Sequence, residues 1–168
     1  NVTFSGNQSA GAGGGLHNAF GVIEVANATF FGNSASSGGA IFNVEGAAET
    51  SLLNALMVEN QGGACGGTLL SNGFNMVSDG SCRGILTGAR DQHNISAHGA
   101  ETLADNGGGT RTHALSANSP AINAGTNTGC PARDQRGASR PFGPACDIGA
   151  VEFGAYPPSL WLPVVIRS

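Results

Sequence analysis

The sequence contains no lysine: its seven cations are Arg83, Arg90, Arg111, Arg133, Arg136, Arg140 and Arg167. Chemistry that needs a primary amine, whether a Schiff base or a phosphate-loop lysine, is therefore excluded. Charge of either sign is scarce, at 11% of 168 residues with a net of -4, so no basic field attracts phosphates and nucleic acid is not an expected partner. Long apolar runs are missing too. The longest, Leu160 to Ile166, is interrupted by Pro163, whereas a membrane-spanning helix takes roughly twenty apolar residues; a spanning segment is not expected. No basic-plus-apolar leader opens the chain, yet the Asn, Ser, Thr and Gly-rich composition is that of an exported protein. The sequence thus reads as a mature form or a fragment.

What is abundant is glycine, 28 residues of it, with no Gly-X-Y period to suggest collagen. Self-comparison explains part of that abundance. Asn1-Val-Thr-Phe4-Ser-Gly-Asn7, Asn27-Ala-Thr-Phe30-Phe-Gly-Asn33 and Asn54-Ala-Leu-Met57-Val-Glu-Asn60 align without gaps, about 26 residues apart. A second set follows: Gly13-Gly-Gly-Leu16-His-Asn18, Gly38-Gly-Ala-Ile41-Phe-Asn43 and, more loosely, Gly66-Gly-Thr-Leu69-Leu-Ser-Asn72. A period of this size belongs to solenoids. Helical repeats are excluded because Asn, Gly, Thr, Val and Phe favour strands and turns, and only the third unit is leucine-rich.

The expected fold is therefore all-β: a right-handed, single-stranded parallel β-helix with an irregular C-terminal cap and an extended apolar tail. Stacked turns bring equivalent residues into ladders. The expected core ladders are Phe4/Phe30/Met57 and Leu16/Ile41/Leu69, and the expected asparagine ladders are Asn1/Asn27/Asn54 and Asn7/Asn33/Asn60. Glycine clusters mark the corners. Coils of about 26 residues are assigned to 1–85. The period fades after Ser81, where prolines and most arginines arrive, so 86–153 reads as the remaining coils and a terminal cap; 154–168 reads as a Pro-rich extended tail. Because Asn1 already stands on a full repeat, earlier coils or another chain are expected to cover that end.

Four ordered motifs carry a resemblance: Leu103-Ala-Asp-Asn-Gly-Gly-Gly-Thr-Arg-Thr-His-Ala-Leu115, Ser119-Pro-Ala-Ile-Asn-Ala-Gly125, Cys130-Pro-Ala-Arg-Asp-Gln-Arg-Gly137 and Cys146-Asp-Ile-Gly-Ala-Val-Glu152. Together with the coils and Cys65 to Cys82, they resemble the choice-of-anchor Q domain family. The resemblance implies an extracellular right-handed β-helix of a bacterial surface protein, similar to polymorphic outer-membrane repeats, with no catalytic residues. Asp91-Gln-His-Asn-Ile95 departs from the family's usual Asp-Pro-Leu-Leu-like stretch, and the C-terminal segment has neither a sortase motif nor a spanning helix.

Cys65, Cys82, Cys130 and Cys146 contain no Cys-x-x-Cys pair. Nearest-neighbour pairing predicts Cys65–Cys82 and Cys130–Cys146, with free buried thiols as the alternative. Asp134, Arg136, Arg140 and Asp147 form either an acid/base or acidic-sugar site or a network tying irregular loops; the second is the expected one. His17, His93, His98 and His113 have no metal-ligand spacing, and no metal or cofactor is expected. Glu24 and Glu49 have no acidic partner at an equivalent coil position, which weakens a glycosidase. No Asp precedes Asp79, which weakens a calcium-dependent lyase. Among the Asn-x-Ser/Thr sequons, Asn94 is the glycosylation candidate outside the ladders.

The functional expectation is a non-enzymatic structural protein of the bacterial cell surface, an adhesin stalk or extracellular filament subunit. The apolar, β-prone residues Leu160, Trp161, Leu162, Val164, Val165 and Ile166 would join copies head to tail, making the chain its own partner, with surface glycans as further partners. The alternative is a carbohydrate-binding or polysaccharide-degrading β-helix.

Overall fold

The computed structural model describes residues 1–158. Three coils each contribute three short strands. The first holds β1 (Val2–Ser5), β2 (Leu16–Asn18) and β3 (Gly21–Ala26). The second holds β4 (Ala28–Phe31), β5 (Ile41–Asn43) and β6 (Ala48–Leu53). The third holds β7 (Leu56–Val58), β8 (Cys65–Gly67) and β9 (Leu70–Ser71), and β10 (Met76–Val77) begins a fourth. All pairings between coils are parallel and build three sheets, β1-β4-β7-β10, β2-β5-β8 and β3-β6-β9. The architecture is thus a stacked parallel-strand solenoid, with no helix among the described residues.

Corner residues explain why the chain folds back so sharply. Asn27 alone separates β3 from β4, and Asn54 with Ala55 separates β6 from β7; both asparagines adopt left-handed φ near 50°, which asparagine tolerates better than most side chains. At the other corner, Gly67 has φ 70°, and a Cβ there would collide with the Asn43 carbonyl of the coil beside it. Only glycine lets the coils approach at that point.

Inside the stack, Phe4 lies over Phe30 with ring centroids 4.6 Å apart and planes 7° from parallel. Phe30 is in register with Met57, and Met57 with Val77. The second core ladder runs Leu16, Ile41, Cys65. Leu69 is buried in the same core but does not stand on that ladder. The reason is the corner glycines: Gly62-Gly63-Ala64-Cys65 repeats Gly38-Gly39-Ala40-Ile41, so the cysteine takes the aliphatic position. The third coil then shortens between β8 and β9, which brings Leu70 opposite Ser51.

Residues 82–95 close the end of the stack. Ile85 and Leu86 pack under the core, and Gln92 adds a bridge beside Met76. From there the chain does not remain at that pole, as a terminal cap over 86–153 would. It runs back along the outer face of β1-β4-β7-β10 through the antiparallel hairpin of β11 (Ala100–Ala104) and β12 (Thr112–Leu115). The outward side chains Leu56, Val58 and Met76 form a second core with Leu115, Ala121 and Ile148. That face is apolar, so the irregular segment is drawn along the flank by burial of apolar surface. Its path ends with Ala155 buried, Pro157 beside Gly107 and Pro158 beside Gly137. Residues 154–158 therefore belong to the flank cover and not to a free tail.

Candidate functional site

Where the flank segment meets the coils, asparagines supply the contacts. Asn54 Nδ2 donates to Asn27 Oδ1 at 3.2 Å and to the Thr126 carbonyl at 3.0 Å, while Asn27 Nδ2 donates to the Asp147 carbonyl at 3.0 Å. Asn1, in register with Asn27, does not join the side-chain ladder; its Nδ2 donates to the Arg133 carbonyl at 2.6 Å. This ladder is thus a rail on which the returning chain is hung. The other is purely internal: Asn7 Nδ2 donates to Asn33 Oδ1 at 2.9 Å, and Asn33 Nδ2 to Asn60 Oδ1 at 3.0 Å. A third buried set escaped the sequence reading, Asn18 and Asn43 joined through the Thr50 hydroxyl. Its signal was the asparagine two residues after each of Leu16 and Ile41.

Asp134, Arg136, Arg140 and Asp147 do converge, around a fifth member absent from the sequence reading, Glu152. Asp134 Oδ2 accepts from Arg136 Nε and Nη2 at 2.9 and 2.7 Å and from the Glu152 amide at 3.0 Å. Its Oδ1 accepts from the Arg136 and Ala138 amides. Glu152 Oε2 accepts from Arg140 Nη1 at 2.8 Å and Oε1 from the Phe142 amide at 2.8 Å. Asp147 accepts from the Asn123 and Phe153 amides. Arg136 Nη2 also donates to the carbonyls of Glu152 and Ala155, and Arg140 Nη1 and Nη2 to those of Asp147 and Gly149, while Arg140 Nε has no partner. Each carboxylate oxygen is already bonded, and Asp147 and Glu152 are each 1% exposed. An acid in an apolar run, Val151-Glu152-Phe153, was the available signal for the missing member.

Burial dominates the electrostatics of this cluster. It pushes the Asp147 carboxyl up to about 6, against the two amides and Arg140 that favour its anion. It also draws Arg140 below the ordinary guanidinium value, opposed by Glu152, Asp134 and Asp147. Chemically, such an arrangement satisfies the backbone of a loop that has almost no strands of its own.

His113 is a second link. Its ring stacks on Phe31 at 4.1 Å, Nε2 lies 2.9 Å from Ser5 Oγ, and Nδ1 lies 2.6 Å from the Glu101 carbonyl. Burial lowers its pKa, opposed by the Glu101 carbonyl and the more distant Glu59. His98 sits edge-on to the same Phe31 ring and 3.3 Å from Glu59. Among the described residues no group of three or more His, Cys, Asp or Glu is arranged to hold a metal ion.

The disulfides join Cys65 to Cys82 and Cys130 to Cys146. The first ties the third coil to the end piece, the second fastens one loop of the flank. Asn94 is exposed. Leu160, Trp161, Leu162, Val164, Val165 and Ile166 lie outside the described residues. No described helix is long and apolar enough to cross a membrane.

The molecule is thus a parallel-strand solenoid that buries four charged side chains, Asp134, Arg140, Asp147 and Glu152, within its own flank. The family model of the Chlamydia polymorphic membrane protein repeat matches residues 1–19 and 27–44. These spans hold β1, β2, β4 and β5, so the chain is similar to that repeat over its first two coils. The motifs that resemble the choice-of-anchor Q family, in 103–152, lie outside the match. No curated protein and no solved structure matches the chain.

Proposed function

We propose that this chain is a non-enzymatic structural module of a bacterial cell surface, wound as a right-handed β-helix and serving as an adhesin stalk or filament subunit. The repeat match supports the surface assignment, because the matched repeat is described as that of a membrane protein of bacteria. Two disulfides accord with an oxidising, extracellular setting. The observation that carries the non-enzymatic reading is the engagement of every carboxylate oxygen of the Asp134, Asp147 and Glu152 cluster by internal donors. General acid–base work needs a carboxyl within reach of substrate. The likeness of 103–152 to choice-of-anchor Q proteins fits the same location.

Self-association is the finer part of the proposal. The apolar residues from Leu160 to Ile166 would pair with the edge of a second copy, and a head-to-tail contact of that kind propagates instead of closing. Deletion of 159–168 tests it without disturbing the packed residues up to 158. Electron microscopy should show filaments for the whole chain and none for the deletion. Filaments that persist unchanged would refute the donated strand.

A further inference from the structure

An open cleft of about 720 Å³ lies between the corner of the fourth coil and the returning flank, lined by Phe74, Arg90, Gln92, Asn123 and the stretch from Ala124 to Thr128. Its size falls within the range of about 300–1,000 Å³ typical of small-molecule sites. Three of its residues, Phe74, Arg90 and Asn123, have left-handed φ of 57°, 58° and 54°.

Phe74 is the informative one. It stands two residues before Met76, which pairs with Leu56, and Asn54 stands two before Leu56. The fourth coil therefore carries a phenylalanine at the corner where earlier coils carry Asn27 and Asn54. A bulky side chain is disfavoured in that conformation, and the fold does not require it, since asparagine makes the same corner twice. What the substitution adds is an aromatic ring in the wall of the cleft.

Polar groups around that ring are left for a ligand. The Gln92 amide N–H goes to the Asn75 carbonyl at 2.8 Å and the Asn123 N–H to Asp147 Oδ1 at 2.7 Å. Among the described residues, the side-chain amides of both and the Arg90 guanidinium have no protein partner. The far wall is fixed in advance, because Asn54 Oδ1 accepts the Thr126 amide at 2.9 Å and Asn127 Oδ1 the Cys146 amide at 2.8 Å, beside the Cys130–Cys146 bridge. Preorganised walls lower the ordering cost of binding.

From this juxtaposition of a misplaced aromatic ring with unpartnered amides and a guanidinium, we infer that the cleft binds an acidic oligosaccharide. The ring takes the C–H face of a sugar, the amides take hydroxyls, and Arg90, the sole charged residue of the lining, forks onto a uronate carboxylate. The site stands apart from the self-association reading, and either can fail without the other.

The test is calorimetric titration of the whole chain with trigalacturonate and with neutral cellotriose. Trigalacturonate should bind at least about tenfold more tightly, a difference that calorimetry resolves. Phe74→Asn restores the corner residue of the other coils, so the melting temperature should not fall, while affinity drops by about tenfold or more. Arg90→Gln should weaken trigalacturonate by about tenfold and leave cellotriose unchanged. No binding of trigalacturonate at millimolar concentration, equal affinity for the two sugars, or unchanged affinity in either variant would overturn the assignment.

Discussion

Most single residues of the coils either fill the tube or turn its corners. Phe30 fills: it is fully buried, stacked on Phe4 and in register with Met57. Its replacement by Ala should cost about 3–5 kcal/mol of unfolding free energy in a denaturant titration, and a loss well under about 1 kcal/mol would contradict its place in the stack. Glu152 does neither; it neutralises Arg140 inside the flank, and both side chains are essentially inaccessible. Glu152→Gln keeps the shape but removes the anion, leaving a guanidinium whose Nε already lacks a partner. The expected cost is about 3–5 kcal/mol, as for other broken buried pairs, read from the shift of the denaturation midpoint. A change within about 0.5 kcal/mol, typical of surface substitutions, would mean the pair is not buried in solution.

At the scale of elements, the hairpin of β11 and β12 is held to the coils through His113, and this group and Asp147, further along the flank, give the fold a pH dependence of mixed sign. His113 has a folded pKa below its ordinary 6.5, so its contribution to stability is full above 6.5 and is lost as pH falls below it. Asp147, raised from 3.8 to about 6, acts the other way: its contribution is full below 3.8 and is lost as pH rises through 6. Between pH 7 and 5 the two oppose each other. Urea midpoints measured across that window should fall less steeply towards acid in His113→Phe and more steeply in Asp147→Asn than in the parent chain. Parallel profiles for all three would show that neither group titrates as the folded geometry requires.

Coils and flank differ in how far they could be read from residues alone. The first was legible because ladder positions recur in sequence: Asn7, Asn33 and Asn60 announce themselves by spacing and then bond to one another. The ladder role of Cys65 is hidden because a cysteine signals a disulfide more strongly than an apolar rung, although it follows Gly63 and Ala64 as Ile41 follows Gly39 and Ala40. The flank has no period to read. Its anchors are carbonyls and amides of Thr126, Asp147 and Ala150 meeting Asn54, Asn27 and Thr29 across more than seventy residues, and backbone groups leave no trace in composition. The charged cluster was visible because arginine and aspartate crowd into one short stretch of a chain with few charges.

At the scale of the described residues, a stack of coils carries the chain from about residue 96 to 158 strapped along one side. The strap covers an apolar sheet face, the Cys130–Cys146 disulfide fastens one of its loops, and the pairs Arg136–Asp134 and Arg140–Glu152 bond within it. The cleft at the strap's edge offers amides, a ring and one guanidinium, but no carboxylate to serve as acid or base. We propose on this ground that the protein holds acidic glycans without cutting them. Prolonged incubation of the intact chain with polygalacturonate, followed by assay of reducing and unsaturated ends, tests this most directly. The predicted result is no increase over a protein-free control; a time-dependent rise in either kind of end, proportional to protein concentration, would contradict it.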